Sequence, residues 1–262
     1  MPKLKRSEGD ERWGTDFIES LDRGLRVFEH LGAHGRPITL SDLAKAADLP
    51  RATARRILFT LERAGYVASD GKMFALTSRV LSLASSFLSS NQIVSVLQPV
   101  LDHISSEAQE ISSLAILDGQ DVVFIARASP ARVFSSGIEL GYRLPAFCTS
   151  VGRAMLGKYD DDELASIIAT MDMKAMTPFT MVDREMLVAT IITDRDNGYS
   201  LVDREAEPGF RSISVPIRRY DNTIVAAINM GAHIDRIPTD EMIDRFLPLL
   251  RDGAHSVKPL LV

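Results

Sequence analysis

Arg51, Thr53, Arg55 and Arg56 follow directly on Pro50. An arginine can grip guanine O6 and N7 with two parallel N–H bonds, or hold a phosphate in the same way, so the group points to nucleic-acid recognition. Residue type leaves open which arginines meet bases and which meet phosphates. Ser41 and Lys72 complete the candidate DNA-binding set. Lys72 follows Asp70-Gly71 and is placed for a backbone phosphate, an exposed loop lysine being the bland alternative.

The elements that must position these residues are legible around them, in TLSDLAKAADLPRATARRILFTLERAGYVASDGKMFAL from Thr39 to Leu76. Thr39 and Asp42 make an approximate capping box that opens a short helix, Leu40 to Ala47. Pro50, with its fixed φ, opens a second helix to about Ala64, which Gly65 ends. Ala54, Ile57, Leu58 and Leu61 recur at helical spacing and commit one face to a core. At about 100° per residue, Ala52, Arg55, Arg56, Phe59 and Arg63 fall on or near the opposite face. This is a helix-turn-helix, whose second helix enters the major groove. Phe59 must either meet DNA or pack under a wing, and the wing is preferred. That wing is the hairpin Tyr66–Ser69 and Lys72–Leu76 around the two-residue turn signal Asp70-Gly71.

A chain of 262 residues is too long for this unit alone and predicts about two domains. Residues 1–79 hold fourteen basic against eleven acidic side chains, and residues 80–262 sixteen against twenty-four. A mildly basic head on an acidic body fits contact with nucleic acid at one end only. A lone Cys148 excludes an intramolecular disulfide, no apolar run would span a bilayer, and the N-terminus lacks a signal-peptide core. A soluble cytoplasmic protein without membrane contact is expected.

In order, residues 1–15 are expected to be a disordered arm ending near Trp13. Residues 16–79 form the head, with a first helix from about Asp16 to Leu31 whose Ile18, Leu21, Leu25 and Phe28 wall its core. Residues 80–92 are a connector helix carrying Val80, Leu83, Ala84, Phe87 and Leu88, which either dimerises or packs within its own chain. The body, residues 93–262, starts with a helical pattern from Ile93 to Ile111. Ser113–Leu117 and Val122–Ala128 are strands around a turn, the second buried on both faces. The loop Pro145–Lys158 leads into a helix capped by Thr149 or Ser150. Helices follow at about Asp161–Met171 and Asp183–Asn197. A late strand pair has Ile213, Val215 and Ile217 alternating with small polar residues, and Pro216 demands an edge or a bulge there. A helix from Thr239 to His255 closes the chain. The fold class is α+β.

LSDLAKAADLPRATARRIL and LERAGYV in the head, with LPAFCTSVGRAMLG, EPGFRSISVPIR and VAAINM in the body, resemble the IclR family of bacterial transcription regulators from about Phe17 onward. Through DVVFIARAS, RLPAFCTSVGRAML and EPGFRSISVPIR the chain looks most like the branch that regulates β-ketoadipate and aromatic-acid catabolism. The resemblance implies a winged helix-turn-helix domain, a dimerising connector and a GAF-like effector domain with a curved antiparallel sheet flanked by helices. It implies double-stranded operator DNA and a small carboxylate effector as partners, a homodimer or dimer of dimers, and no cofactor or metal. Matched residue by residue, it puts Leu144, Ser150 and Val151 in the effector loop, with Cys148 and Thr149 beside them, and Pro216 and Asn229 at contact positions on the late strands. A carboxylate needs a cation or several N–H donors. Arg127 and Arg143 are the cationic candidates, each with a plain reading as a surface or salt-bridged arginine.

Other classes of function find less support. Cys148 or Ser150 as a nucleophile lacks a base, because none of the five histidines sits in a triad or metal-ligand pattern. A redox sensor rests on Cys148 alone. A ligand-binding module without DNA leaves the basic helix and wing without a role.

Overall fold

The computed structural model describes residues 16–90, 92–130 and 139–261, with the backbone alone at 88–90. The expected arm, residues 1–15, lies outside the described residues. The chain divides into two compact units between Phe87 and Leu88.

The first unit opens with α1 (Glu19–His34), closed by Gly35 in the left-handed conformation. Its buried side chains are Val27 and Leu31, while Ile18, Leu21 and Leu25 face outward. The apolar stripe predicted for this helix is real, but only Phe28 turns inward from it, meeting Tyr66 edge-on at 5.7 Å. A short strand β1 (Ile38–Thr39) leads into α2 (Leu40–Ala46). Thr39 Oγ1 accepts the Asp42 N–H at 3.2 Å and donates to the Asp42 carboxylate at 2.7 Å, as the capping box predicts. Asp48 takes φ +54° in the turn that follows, and Pro50 caps α3 (Arg51–Arg63) by accepting the Ala54 N–H.

Strands β2 (Val67–Ser69) and β3 (Met73–Leu76) form the wing, and β1 adds to it in the order β1-β3-β2. Ser69 pairs with Phe74, and the Asp70 N–H reaches the Met73 carbonyl, so Gly71 and Lys72 occupy the turn centre. The frame is one residue later than Asp70-Gly71 suggests. The Asp70 carboxylate causes the shift by accepting the N–H groups of Lys72 and Met73 at 2.9 and 2.7 Å.

Helix α4 (Val80–Ser90) leaves Leu81, Leu83 and Phe87 exposed at 67%, 54% and 50%. Leu83 and Phe87 of the predicted stripe thus lie on the surface of the first unit. No single helix among the described residues is long and apolar enough to cross a membrane.

The second unit is α+β. Helix α5 (Gln92–Ala108) stops before Ile111, which begins β4 (Ile111–Asp118) rather than ending the helix. After β5 (Asp121–Ala128) and the short β6 (Arg143–Pro145) come a 3-10 turn, Ala146–Cys148, and α6 (Ser150–Leu156). Then follow α7 (Asp161–Thr170), α8 (Arg184–Asn197), and β7 (Ser200–Asp203), β8 (Phe210–Arg218) and β9 (Ile224–His233). The chain ends in α9 (Thr239–Glu241) and α10 (Leu247–Val257), joined through a π-helical turn. The strands make one antiparallel sheet in the order β6-β5-β4-β9-β8-β7.

Each face of this sheet buries a core. Leu114, Val215, Ile217, Ile228 and Met230 pack with Leu97, Leu101 and Ile104 of α5 and Leu250 of α10. Ala115, Val122, Phe124 and Ala227 pack on the other side with Phe147, Val151, Leu164 and Leu187. Burying one such large side chain is worth about 1.5–3 kcal/mol, so the cores on both faces hold the sheet in place. Pro216 sits in an interior strand, yet β7 ends opposite Ser214, so the position is unpaired on that side and next to a register shift at Ile217. Both conditions a strand proline asks for are met.

Candidate functional site

In the first unit, Ala54 and Leu58 are buried in α3, and Ile57 and Leu61 are half-buried against the same core. Arg51, Arg55, Arg56 and Arg63 are exposed on the remaining surface, as are Ser41 in α2 and Lys72 at the wing tip; Thr53 is half-buried. The structure thus places the six candidate DNA-binding residues on one small unit with the cations accessible. Phe59 departs from expectation. It is 58% exposed, with Arg63 stacked over its ring at 5.3 Å, while Phe74 and Leu76 of the wing pack against the core of the head.

In the second unit, side chains alternate across the sheet, so Leu114, Val215, Ile228 and Met230 on the α5 side put Ser113, Ser214 and Asn229 on the α6 side. The register pairs Ser113 with Asn229 and Arg127, Asn229 with Ser214, and Ser214 with Ser200. A polar row therefore crosses five strands beneath α6. Arg127 reaches it through a bulge. Leu114 pairs with Ala126 while Ala115 pairs with Phe124, leaving Ile125 as the extra residue and turning Arg127 from the α5 side to the face of Ser113. Burial pulls the Arg127 pKa below its usual value, against the opposing charge of Glu139.

Two atoms of this row, Asn229 Oδ1 and Ser214 Oγ, are buried with no hydrogen-bond partner among the described residues. Buried polar atoms are costly to leave unpaired, which marks this face as a place where a polar ligand gains. Ser150 joins it from α6, its hydroxyl 2.8 Å from that of Ser212. Val151 packs in the same cluster as Ala227, and Leu144 is half-buried against that cluster.

Four of the predicted effector residues have other employment. Arg143 is held on the edge strand by Asp118 at 2.7 Å and Asp121 at 3.3 Å, so it is a salt-bridged surface arginine. Thr149 spends its hydroxyl capping Gly152 N–H at 3.2 Å. Pro216 lies at the far end of α6 from Ser150, lining a cavity of about 10 Å³ with Ala154, Gly157 and Asp194. Cys148 is buried, and burial, with the charge of Glu205, pushes its thiol up to about 12. Burial that holds the thiol protonated lends no support to a nucleophile or redox-sensor role for Cys148.

Sequence reasoning missed Ser113 and Ser214, although the alternation of RSISVPIR carries the second. It also missed Arg153 of α6. Its side chain is buried, Nε donating to the Phe147 carbonyl at 2.8 Å and Nη2 to Glu205 Oε2 at 2.7 Å. Glu205 Oε2 also accepts the Met181 N–H at 2.9 Å, so three segments are tied at the start of α6. Nearby, Asp194 accepts from Ser200 at 2.6 Å, and burial raises its pKa from 3.8 to about 6. A carboxyl that binds its proton more tightly in the folded chain stabilises the fold most at low pH. That contribution is present below pH 3.8 and fades as pH rises through about 6. Asp194→Asn should therefore flatten the dependence of stability on pH across this window, read by urea denaturation.

Among the described residues no group of three or more His, Cys, Asp or Glu could hold a metal ion. The IclR helix-turn-helix domain family matches residues 20–71, and the family described as bacterial transcriptional regulator IclR C-terminal matches residues 85–258. The Pca regulon regulatory protein of Pseudomonas putida is 40% identical over 247 residues, 92% of this chain and 85% of that protein. A solved structure from Rhodococcus sp. RHA1 is 40% identical, with TM-score 0.81 over 92% of this chain and 97% of its own. The inducer-binding domain of the PobR transcription factor from Acinetobacter, a double mutant in complex with 3-hydroxybenzoic acid, is 31% identical. Its TM-score is 0.61 over 64% of this chain and 98% of that one.

Proposed function

The chain belongs to the IclR family of bacterial transcriptional regulators, and from that premise we propose that α3 reads operator DNA under control of a small aromatic carboxylate bound on the α6 side of the sheet. Its relatives include the Pca regulon regulatory protein of Pseudomonas putida and the p-hydroxybenzoate hydroxylase transcriptional activator of Acinetobacter baylyi, and the chain is a regulator rather than an enzyme. The observation that carries the ligand reading is the polar row Arg127, Ser113, Asn229 and Ser214, with its two orphaned atoms. A guanidinium at one end suits a carboxylate, and an amide oxygen and hydroxyl further along suit a ring hydroxyl. The PobR domain with its hydroxybenzoic acid supports the same ligand class.

Thermal shift with 4-hydroxybenzoate, protocatechuate and β-ketoadipate tests this. A ligand at 100 times its dissociation constant stabilises by about 2.7 kcal/mol. The shift should shrink in both Arg127→Gln and Asn229→Leu. Equal shifts in wild type and both variants would move the ligand elsewhere.

For DNA, Ser41, Arg51, Thr53, Arg55, Arg56 and Lys72 are the proposed contacts, in the cytoplasm where the operator lies. Arg55→Ala should cost about 1–3 kcal/mol on a selected duplex and much less on random DNA if Arg55 reads a base. Equal losses on both duplexes at matched salt would assign it to a phosphate. The outward apolar side chains of α1 and α4, Leu21, Leu25, Leu81, Leu83 and Phe87, support a homodimer joined through the head and connector. Sedimentation of Leu83→Glu should then give a monomer; an unchanged dimer would place the interface elsewhere.

A further inference from the structure

We propose that Phe59 is a specificity-determining residue that reads the 5-methyl group of a thymine in the major groove. The inference rests on α3 being the helix that enters the groove, and adds to it the one apolar group that a base edge offers there.

Three features of α3 lead to it. Phe59 stands on the helix surface at 58% exposure, whereas Phe74 and Leu76 of the wing pack against the core of the head. Ala52 lies seven residues before Phe59, two turns back on the same exposed stripe, so the helix carries an apolar line between its cations. Arg63, one turn further on, covers one face of the Phe59 ring at 5.3 Å, which fixes the ring and leaves its edge and second face outward.

Arginine and phenylalanine on this surface read different things. A guanidinium finds acceptors on guanine or phosphate, while an aromatic ring gains only where water is displaced from carbon. Thymine is the base that presents carbon in the major groove. The small Ala52 lets the helix approach closely enough for a ring on the next exposed turns to touch it.

Position along the helix narrows the target. Phe59 is four residues beyond Arg55, about 6 Å along the axis. Base pairs are about 3.4 Å apart, so the thymine should lie within about two steps of the base pair that Arg55 meets.

The test removes only the methyl. A duplex recovered by in vitro selection from a randomised library with full-length wild-type protein is remade with deoxyuridine replacing thymine, one position at a time. Affinities are measured for wild type, Phe59→Ala and Phe59→Leu, with thermal melting to confirm that each is folded. In wild type, one position per half-site should weaken binding about fourfold, the equivalent of one buried methyl group. The same replacement should cost Phe59→Ala nothing and Phe59→Leu an intermediate amount. Identical deoxyuridine penalties in wild type and Phe59→Ala would overturn the assignment, as would wild type tolerating deoxyuridine everywhere. A uniform loss in Phe59→Ala on every duplex would also overturn it and assign the ring to the backbone. Arg55→Ala and Arg56→Ala serve as controls. If both retain wild-type affinity, the placement of α3 fails and the thymine contact with it; if they lose affinity while Phe59→Ala keeps the deoxyuridine penalty, Phe59 alone is misassigned.

Discussion

Glu205→Ala is expected to destabilise the effector unit by about 3–5 kcal/mol, read as a lower urea midpoint with an unchanged slope. The reason is the charge it leaves behind. Arg153 is 2% exposed as a side chain and Glu205 9%, and their contact is 2.7 Å. Without the carboxylate the guanidinium stays buried and uncompensated, and the Met181 N–H loses its acceptor.

The size of the effect does not mean that the ion pair itself contributes so much. Desolvating two charges consumes most of their attraction, so replacing both at once by apolar residues of similar volume is often neutral. Arg153→Met with Glu205→Leu should therefore recover most of what Glu205→Ala loses. The recovery has one limit, since Nε of Arg153 also holds the Phe147 carbonyl and that bond goes with the arginine. A loss below about 1 kcal/mol in Glu205→Ala would show that water reaches the pair and that it ties nothing together.

What could be read from the sequence was mostly local. Thr39 with Asp42, Pro50, and the spacing of Ala54 and Leu58 each act within a few residues, and the head follows from them. The same locality explains the one-residue error in the wing, because Asp70-Gly71 is a turn signal at two adjacent frames and the Asp70 side chain chooses between them. Periodicity found the stripe of α1 but could not say whether a stripe faces the chain's own core or a partner. In the effector unit the decisive facts are pairings between distant segments. Arg153 and Glu205 are 52 positions apart, and neither has a neighbour that announces the other. Arg143 looked as suitable as Arg127 for a carboxylate ligand; a bulge at Ile125 and two aspartates near the Arg143 strand separate them. Asn229 was legible by resemblance, whereas Ser113 beside it becomes visible only through strand register.

Gly152→Ala carries the second large effect, and here two terms of opposite sign compete. Gly152 lies inside α6, where alanine is favoured over glycine by about 1 kcal/mol. A methyl group at this position, however, would stand 2.5 Å from the Ala146 Cα and closer still to its carbonyl oxygen. Those atoms belong to backbone, which cannot swing aside as a side chain can, so the start of α6 must move off the 3-10 turn. Overpacking of this kind costs about 1–3 kcal/mol and occasionally more, and it outweighs the helix preference. The displacement also acts where function is proposed. The Thr149 cap on Gly152, the Ser150–Ser212 contact and the Arg153 bond to Phe147 all fall within three residues of the new methyl. Net destabilisation in urea is thus expected together with loss of the hydroxybenzoate-induced thermal shift, while non-specific DNA binding by the head persists. A variant more stable than wild type by about 1 kcal/mol would mean that α6 and the turn are not in contact, because helix preference alone would then decide the sign.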